Sequence, residues 1–304
     1  MRDVRLLVCD LDNTLYDWVS YFVPSFYAMV DAVVRITGCD REKLLDEFRK
    51  VHQLHGDSEQ PFALLETGTI RTKYKNRTSV AVIEELDPAF HAFNSARKRN
   101  LQLHPRVKET LDILASSGIR LIAHTESKLY GVVDRLRRLD LVSYFSRIYC
   151  RERSSSPHPH PERGNDWLSG FPMERVVELS HHQSKPNPSV LLEMCSKEGI
   201  SPAQTAYVGD SMARDMLMAK NAGVFAIWAA YGSRHGSTLY GDLVRISHWT
   251  AEEVAREKKL SEEAKTIMPD YVAENSFAQV LDAIEWRAGD YIDQDHNKVA
   301  VKIT

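Results

Sequence analysis

What most limits the fold of this 304-residue chain is an alternation of short apolar runs with helical patterns. Residues 4–9, 119–124, 147–150, 205–208 and 224–230 are rich in β-branched and aromatic side chains and read as strands. Between them, residues 107–116, 129–139, 189–197 and 215–221 carry apolar positions at helical spacing. A strand that is apolar on both alternating positions has no face to give to water, so helices must cover both sides of its sheet. The alternation therefore predicts an α/β fold built on a doubly wound, Rossmann-like parallel sheet.

The pattern lapses directly after the first strand. Residues 18–99 contain no convincing strand but several helix-compatible segments, which predicts an inserted helical region. Within it, residues 18–35 are apolar nearly all round, Asp40 is placed to cap a helix over 41–52, and 57–69 has loop character. Residues 154–164, rich in Pro and Ser, predict an exposed loop, and 250–265 predict a highly charged, solvent-facing helix. The tail from residue 287 carries no clear signal.

Composition excludes several classes. Hydrophobic residues at 43% and charged residues at 27% are those of a globular protein, and a net charge of −3 supplies no basic field for nucleic acid. Cys9, Cys39, Cys150 and Cys195 form no Cys-x-x-Cys pair, and two of them fall in strand-like runs, as expected for reduced cysteines. The first residues are too short an apolar stretch for a signal peptide, and no stretch reads as long enough for a membrane span. The expectation is a cytoplasmic protein with neither nucleic acid nor membrane as partner.

Chemistry concentrates at the ends of the predicted strands. Asp10-Leu11-Asp12-Asn13-Thr14-Leu15 leaves the first strand at its carboxyl end, where open α/β sheets bind ligands. Alone, an Asp-x-Asp is common and fits a loop or a cap equally well. Three further features bear on it: Thr125 follows the second strand, Lys185 precedes a Pro-Asn-Pro helix entry, and Gly209-Asp210 follows the fourth, with Asp215 five residues on. All would meet at one edge of the sheet. Such a set suits a phosphate ester. Asp10 can act as nucleophile, a hard divalent cation can offset the repulsion between carboxylate and phosphate, and magnesium matches that oxygen-rich donor set. Asp12 is suited to general acid/base work, and Lys185 to balancing the acids. Thr125 and backbone N–H groups near Leu11 and Glu126 can donate to phosphoryl oxygens.

In order and spacing these motifs resemble the haloacid dehalogenase superfamily. The resemblance covers residues 4–15 and 103–223, with a weaker echo at Pro269-Asp270-Tyr271-Val272. It implies a core of residues 1–16 and 100–304, and a helical cap of residues 17–99 closing over the site. It implies a Mg2+-dependent phosphatase with Asp10 and Asp210 as side-chain metal ligands and Asp12 contributing its backbone carbonyl. Asp215 would be a further ligand or would orient bound water. The implied substrate is a small phosphomonoester, of the kind of a sugar phosphate, phosphoglycolate or a nucleoside monophosphate. A phosphomutase would use the same residues, and a silent phospho-ligand-binding protein could keep the fold.

Other features invite competing readings. Glu126 stands where the family often has Asn, and a carboxylate beside phosphate must turn away or meet a basic group. His124 reads as a hydrogen-bonded core histidine. His158, His160, His181 and His182 lack metal-ligand spacing and read as surface. Tyr16, Trp18, Tyr21, Phe22, Phe26 and Tyr27 read mainly as core of the helical region, although Tyr16 and Trp18 stand close enough to Asp12 to line a substrate pocket. Asp17 is read as a helix cap or as solvated, and Arg71, Lys73, Lys75 and Arg77 as a solvated stretch.

Overall fold

A computed structural model describes residues 2–60, 62–153, 166–234 and 236–285. The loop expected at 154–164, with His158 and His160, and the tail from residue 287 lie outside these residues. A two-residue strand, Arg2–Asp3 (β1), precedes Leu6–Cys9 (β2). The strands Arg120–Lys128 (β3), Arg147–Arg151 (β4), Val176–Leu179 (β5), Thr205–Gly209 (β6), Phe225–Ala229 (β7) and Tyr271–Ala273 (β8) follow, and Ile284–Glu285 (β9) pairs with β1. β2 to β8 form one seven-stranded sheet in the order β5-β4-β3-β2-β6-β7-β8, parallel throughout.

Two of these strands correct the five-strand reading. β5 and β8 lie at the sheet edges, are half-buried and short, and so lack the continuous apolar run that marks a central strand. The central strands show why both faces must be covered. Leu6 and Val8 point into one layer with Tyr207, Val190 and Met194, whereas Leu7 and Cys9 point into the other with Leu111, Val132 and Leu136.

Six helices fill residues 18 to 100: Trp18–Thr37 (α1), Arg41–His55 (α2), Ala63–Glu66 (α3), Gly68–Lys73 (α4), Ser79–Glu85 (α5) and Asp87–Asn100 (α6). Asp17 and Asp40 cap the first two, accepting from Ser20 N at 2.9 Å and Lys43 N at 2.6 Å. The loop reading of 57–69 is corrected in part, since α3 and the start of α4 fall within it. α1 also overturns the expectation that no stretch could span a bilayer, being 20 residues long and, by length and composition, apolar enough to do so. Its apolar side packs inside the protein, where Phe22, Phe26 and Val30 meet Phe48 and Leu44 of α2. Burying each such side chain contributes roughly 1.5–3 kcal/mol.

The chain returns to the sheet through Val107–Ser116 (α7), Leu129–Arg138 (α8), Pro188–Glu198 (α9) and Leu217–Asn221 (α10). After β7 come Ser237–Ile246 (α11) and the charged helix Ala251–Ala264 (α12), capped by Thr250, and later a short helix Val280–Ala283 (α13). α11 joins the hydrophobic cluster of the helical region: Leu243 and Ile246 are buried in it, and His52 Nδ1 bonds the Ile246 carbonyl at 2.6 Å. That cluster therefore extends beyond residues 17–99. Arg71, Lys73, Lys75 and Arg77 are exposed, as a solvated stretch should be.

Candidate active site

The sheet order fixes where the chemistry collects. β2 is central, with β3 on one side and β6 on the other; the chain runs from β2 toward β3 and from β6 toward β7, in opposite directions, and leaves a crevice at the carboxyl ends of β2 and β6. In register, Cys9 pairs with Ala123 of β3 and with Val208 of β6. The residues just beyond, Asp10, Thr125 and Asp210, consequently emerge at one level.

Asp10 is buried, and its Oδ1 lies 2.6 Å from Lys185 Nζ, while Oδ2 accepts from Thr14 Oγ1 at 3.1 Å. Lys185 Nζ also donates to Asp215 Oδ1 at 2.9 Å. One ammonium thus bridges two carboxylates. Asp215 lies in a π-helical turn, Met212–Met216, and takes a further bond from Ser211 N at 3.0 Å. Carboxylate oxygens of Asp10, Asp210 and Asp215 fall within 4.8 Å of one another. Burial raises the carboxyl pKa of Asp10 to about 7, with Asp215 pushing it up and Lys185 opposing. Burial and the two neighbouring acids push Asp210 well above the usual range as well. Lys185 stays charged because Asp10 and Asp215 more than offset the effect of its burial.

The Asp12 carboxylate lies outside that group and has its own partners. Oδ2 accepts from Thr125 Oγ1 at 3.0 Å and from Ser127 Oγ at 2.7 Å, and Oδ1 stands 3.4 Å from Arg135 Nη2. The hydroxyl of Thr125 is thus directed at Asp12 rather than held free for a ligand. Glu126 accepts from the Lys185 backbone N–H at 3.1 Å and pairs with Arg151 at 3.6 Å, so its carboxylate meets protein cations and donors. His124 is fully buried beside Tyr207 Oη at 3.3 Å, the core histidine expected, and burial holds it well below its ordinary pKa. His181 and His182 join no metal-ligand group among the described residues.

Two glycines make this approach possible. A Cβ on Gly209 would lie 2.4 Å from Asp215 Oδ2, and one on Gly232 would lie 1.8 Å from the Asn13 carbonyl oxygen. The loop carrying Asp10 and Asp12 is held by His104, which meets the Asn13 carbonyl at 3.1 Å, and by Tyr231, which donates to the Thr14 carbonyl at 2.6 Å.

A cleft of about 820 Å³ opens over these groups, lined by Asp10, Asp12, Thr125, Lys185, Asp210 and Asp215. Trp18, Gln53 and His55 border it from the helical region, and Trp249, Glu253 and Glu257 from α12 and the turn before it. Leu11 is fully buried, so only its backbone can serve a ligand. The pocket reading of Tyr16 is corrected: it is fully buried, and its hydroxyl accepts from Arg135 Nε at 3.0 Å. Arg135, Ser127 and Glu59 were not brought forward by the sequence. For Arg135 a signal existed, since it falls on the apolar face of α8 with Val132 and Leu136.

Comparison with known proteins bears on the family and the fold. A family model described as haloacid dehalogenase-like hydrolase matches residues 4–223, and a second HAD-like hydrolase model matches residues 182–276. A phosphoglycolate phosphatase of Vibrio vulnificus (strain YJ016) is 27% identical over 286 residues, covering 93% of this chain and 97% of the relative. Phosphoglycolate phosphatase 1 of Pseudomonas aeruginosa is 27% identical over 240 residues, covering 77% and 72%. Among solved structures, a 2-haloacid dehalogenase from Pseudomonas syringae pv. Tomato DC3000 superposes with a TM-score of 0.53 at 19% identity, covering 92% of this chain and 97% of that one. That likeness shows the fold alone.

Proposed function

The chain belongs to the haloacid dehalogenase-like hydrolases, and from that membership we propose that it is a Mg2+-dependent phosphatase acting on a small phosphomonoester through an aspartyl-phosphate. The observation that carries the reading is the pairing of a buried nucleophile candidate, Asp10, with a separate carboxylate, Asp12, in one cleft. A carbon–halogen bond releases a halide that needs no proton, whereas an alkoxide leaving from phosphorus does. As a proton donor to the leaving group, Asp12 has a task only in the second reaction.

In the first half-reaction an Asp10 oxygen forms a bond to phosphorus as the bond from phosphorus to the ester oxygen breaks, and Asp12 gives its proton to that oxygen. In the second, Asp12 takes a proton from water, the water oxygen bonds to phosphorus, and the Asp10–phosphorus bond breaks. Lys185 holds Asp10 and balances Asp215 throughout. The helices of residues 17–99 serve as a cap over a core of residues 1–16 and 100–304, excluding bulk water and selecting the leaving group. Tyr16 drops out of the substrate-binding set, and Trp18 stays in it.

The donor set suits a divalent cation. Three carboxylates cluster around a single ammonium, an excess of negative charge that burial makes costly. Asp10 and Asp210 would hold the ion, with Asp215 beside them and the Asp12 carbonyl as a further oxygen. When bound it neutralises phosphoryl charge that otherwise repels Asp10.

A pH dependence follows from the same cluster. Asp10 has a folded pKa raised to about 7, above its unfolded value, so its contribution to stability is complete below the unfolded value and is lost as pH rises through about 7. Without divalent cation the unfolding temperature is therefore expected to fall between pH 5 and pH 8, by thermal scans in chelator, and magnesium is expected to restore it most at the alkaline end. A profile that is flat in chelator, or a magnesium effect largest at pH 5, contradicts the assignment.

The functional test is phosphate release from a panel of metabolites headed by phosphoglycolate, with magnesium or with chelator. The reading requires release that chelator removes. Its overturning result is a panel of sugar, glycolate and nucleoside phosphates left intact in magnesium by folded protein.

A further inference from the structure

Arg135 carries a full charge with no exposure to water, and no step of the reaction above uses it. A buried guanidinium must be matched by partners on every side. The partners of this one come from two parts of the chain. Tyr16 Oη accepts from Nε at 3.0 Å and Ser127 Oγ from Nη2 at 2.6 Å, both in the α/β part. From the helical region, Glu59 receives Nη1 with both carboxylate oxygens, at 2.7 Å and 2.8 Å. A Cβ on Gly131 would lie 2.9 Å from Nη2, so the guanidinium fills space that glycine leaves open.

The same Nη2 stands 3.4 Å from Asp12 Oδ1, and Ser127, which it holds, donates to Asp12 Oδ2 at 2.7 Å. Both oxygens of Asp12 are thus held, directly or through one hydroxyl, by Arg135. Glu59 is in turn held by Trp18 Nε1 at 3.1 Å, and Lys128 meets Asp57 at 3.5 Å and the His55 carbonyl at 3.2 Å. Residues 55–60 are therefore seated on the α/β part by two cations, one of which also holds Asp12.

We propose that Arg135 is a positioning residue which ties the orientation of Asp12 to the seating of Glu59 from the helical region. The proposal rests on Asp12 being the proton donor of the reaction read above. With Glu59 seated, the guanidinium is shared between two carboxylates and meets Asp12 with one nitrogen. With Glu59 withdrawn, Arg135 loses the carboxylate whose two oxygens both accept from its Nη1. Asp12 is then the remaining carboxylate, and the guanidinium's preference for a two-nitrogen grip draws it away from the leaving oxygen. Proton donation is thereby confined to the seated arrangement. A merely structural arginine would instead support the fold and affect every substrate alike.

The test uses the full chain with Glu59→Gln, which keeps the shape and removes the charge, and Arg135→Lys, which keeps the charge and removes the fork. Turnover of an alkyl phosphate, which needs a protonated leaving group, is compared with that of an aryl phosphate, which does not. For Glu59→Gln, kcat on the alkyl ester is expected to fall about tenfold or more while the aryl ester changes by less than about threefold and KM is little altered for either. Arg135→Lys, if it folds, is expected to show the same split more strongly. Equal losses on both esters, or a loss confined to KM, overturn the positioning role. Amide exchange of residues 55–60 is read on the same variants because it needs no turnover, and it is expected to quicken at least about tenfold in Glu59→Gln. Unchanged exchange overturns the seating. If the wild type turns over neither ester, the phosphatase reading fails and Arg135 positions no proton donor, while the exchange result still decides whether Glu59 seats the segment.

Discussion

Asp10→Asn is expected to reduce phosphate release by at least about 10⁴-fold while leaving the fold intact. The amide cannot attack phosphorus, and it removes one carboxylate from the metal cluster, yet its size and its oxygen beside Lys185 are kept. The expected stability change has the opposite sign to the activity change. Burial and the neighbouring Asp215 raise the pKa of Asp10 to about 7, so at pH 8 its charge is held at a cost. In chelator at pH 8 the variant should melt no lower than the wild type, and at pH 5 the difference between the two should be smaller. Steady-state phosphate release and paired thermal scans check both halves. A variant that keeps most of the activity refutes the nucleophile assignment.

Lys185→Met is expected to be damaging in both respects. Its ammonium is the cation that Asp10 and Asp215 share, at 2.6 Å and 2.9 Å. Removing one partner from a buried charged group leaves the others uncompensated, at a cost of about 3–5 kcal/mol. Activity should fall by roughly 10³-fold, because the nucleophile loses its orientation and its approach to phosphate loses a positive charge. Magnesium should recover part of the stability, by filling the same cluster, but little of the rate. Denaturant titration with and without magnesium separates these effects, and an undiminished midpoint in chelator would show that the bridging ammonium does not hold the cluster together.

Much of this site could be read in the sequence because its signals are local. Asp10, Thr125 and Asp210 each end or follow an apolar run, and parallel pairing of β2 with β3 and β6 carries those ends to one level. Lys185 and Asp215 were marked by their helix entries. What the sequence did not disclose depends on contacts between distant segments. Glu59 sits in a stretch with loop character and meets Arg135 across 76 positions. Arg135 itself stands beside Arg137 and Arg138, where a charge run reads as solvated, although its register with Val132 and Leu136 puts it on the buried face. The edge strands β5 and β8 were missed for want of a continuous apolar run. α1 was apolar enough to cross a membrane, and its packing against α6, α11 and α2 gives those side chains another destination. The resolution of Glu126 was equally remote: its partners are Arg151 on the neighbouring strand and the backbone of Lys185.

The central claim is that phosphorus becomes bonded to Asp10 during turnover. The most direct measurement is acid quenching of the wild type during hydrolysis of a phosphate ester in magnesium, followed by mass spectrometry of the peptide containing residues 10–15. The account predicts one phosphoryl group on Asp10, present with substrate and absent in Asp10→Asn. A phosphoryl group on another residue, or turnover by Asp10→Asn without any labelled peptide, would contradict it.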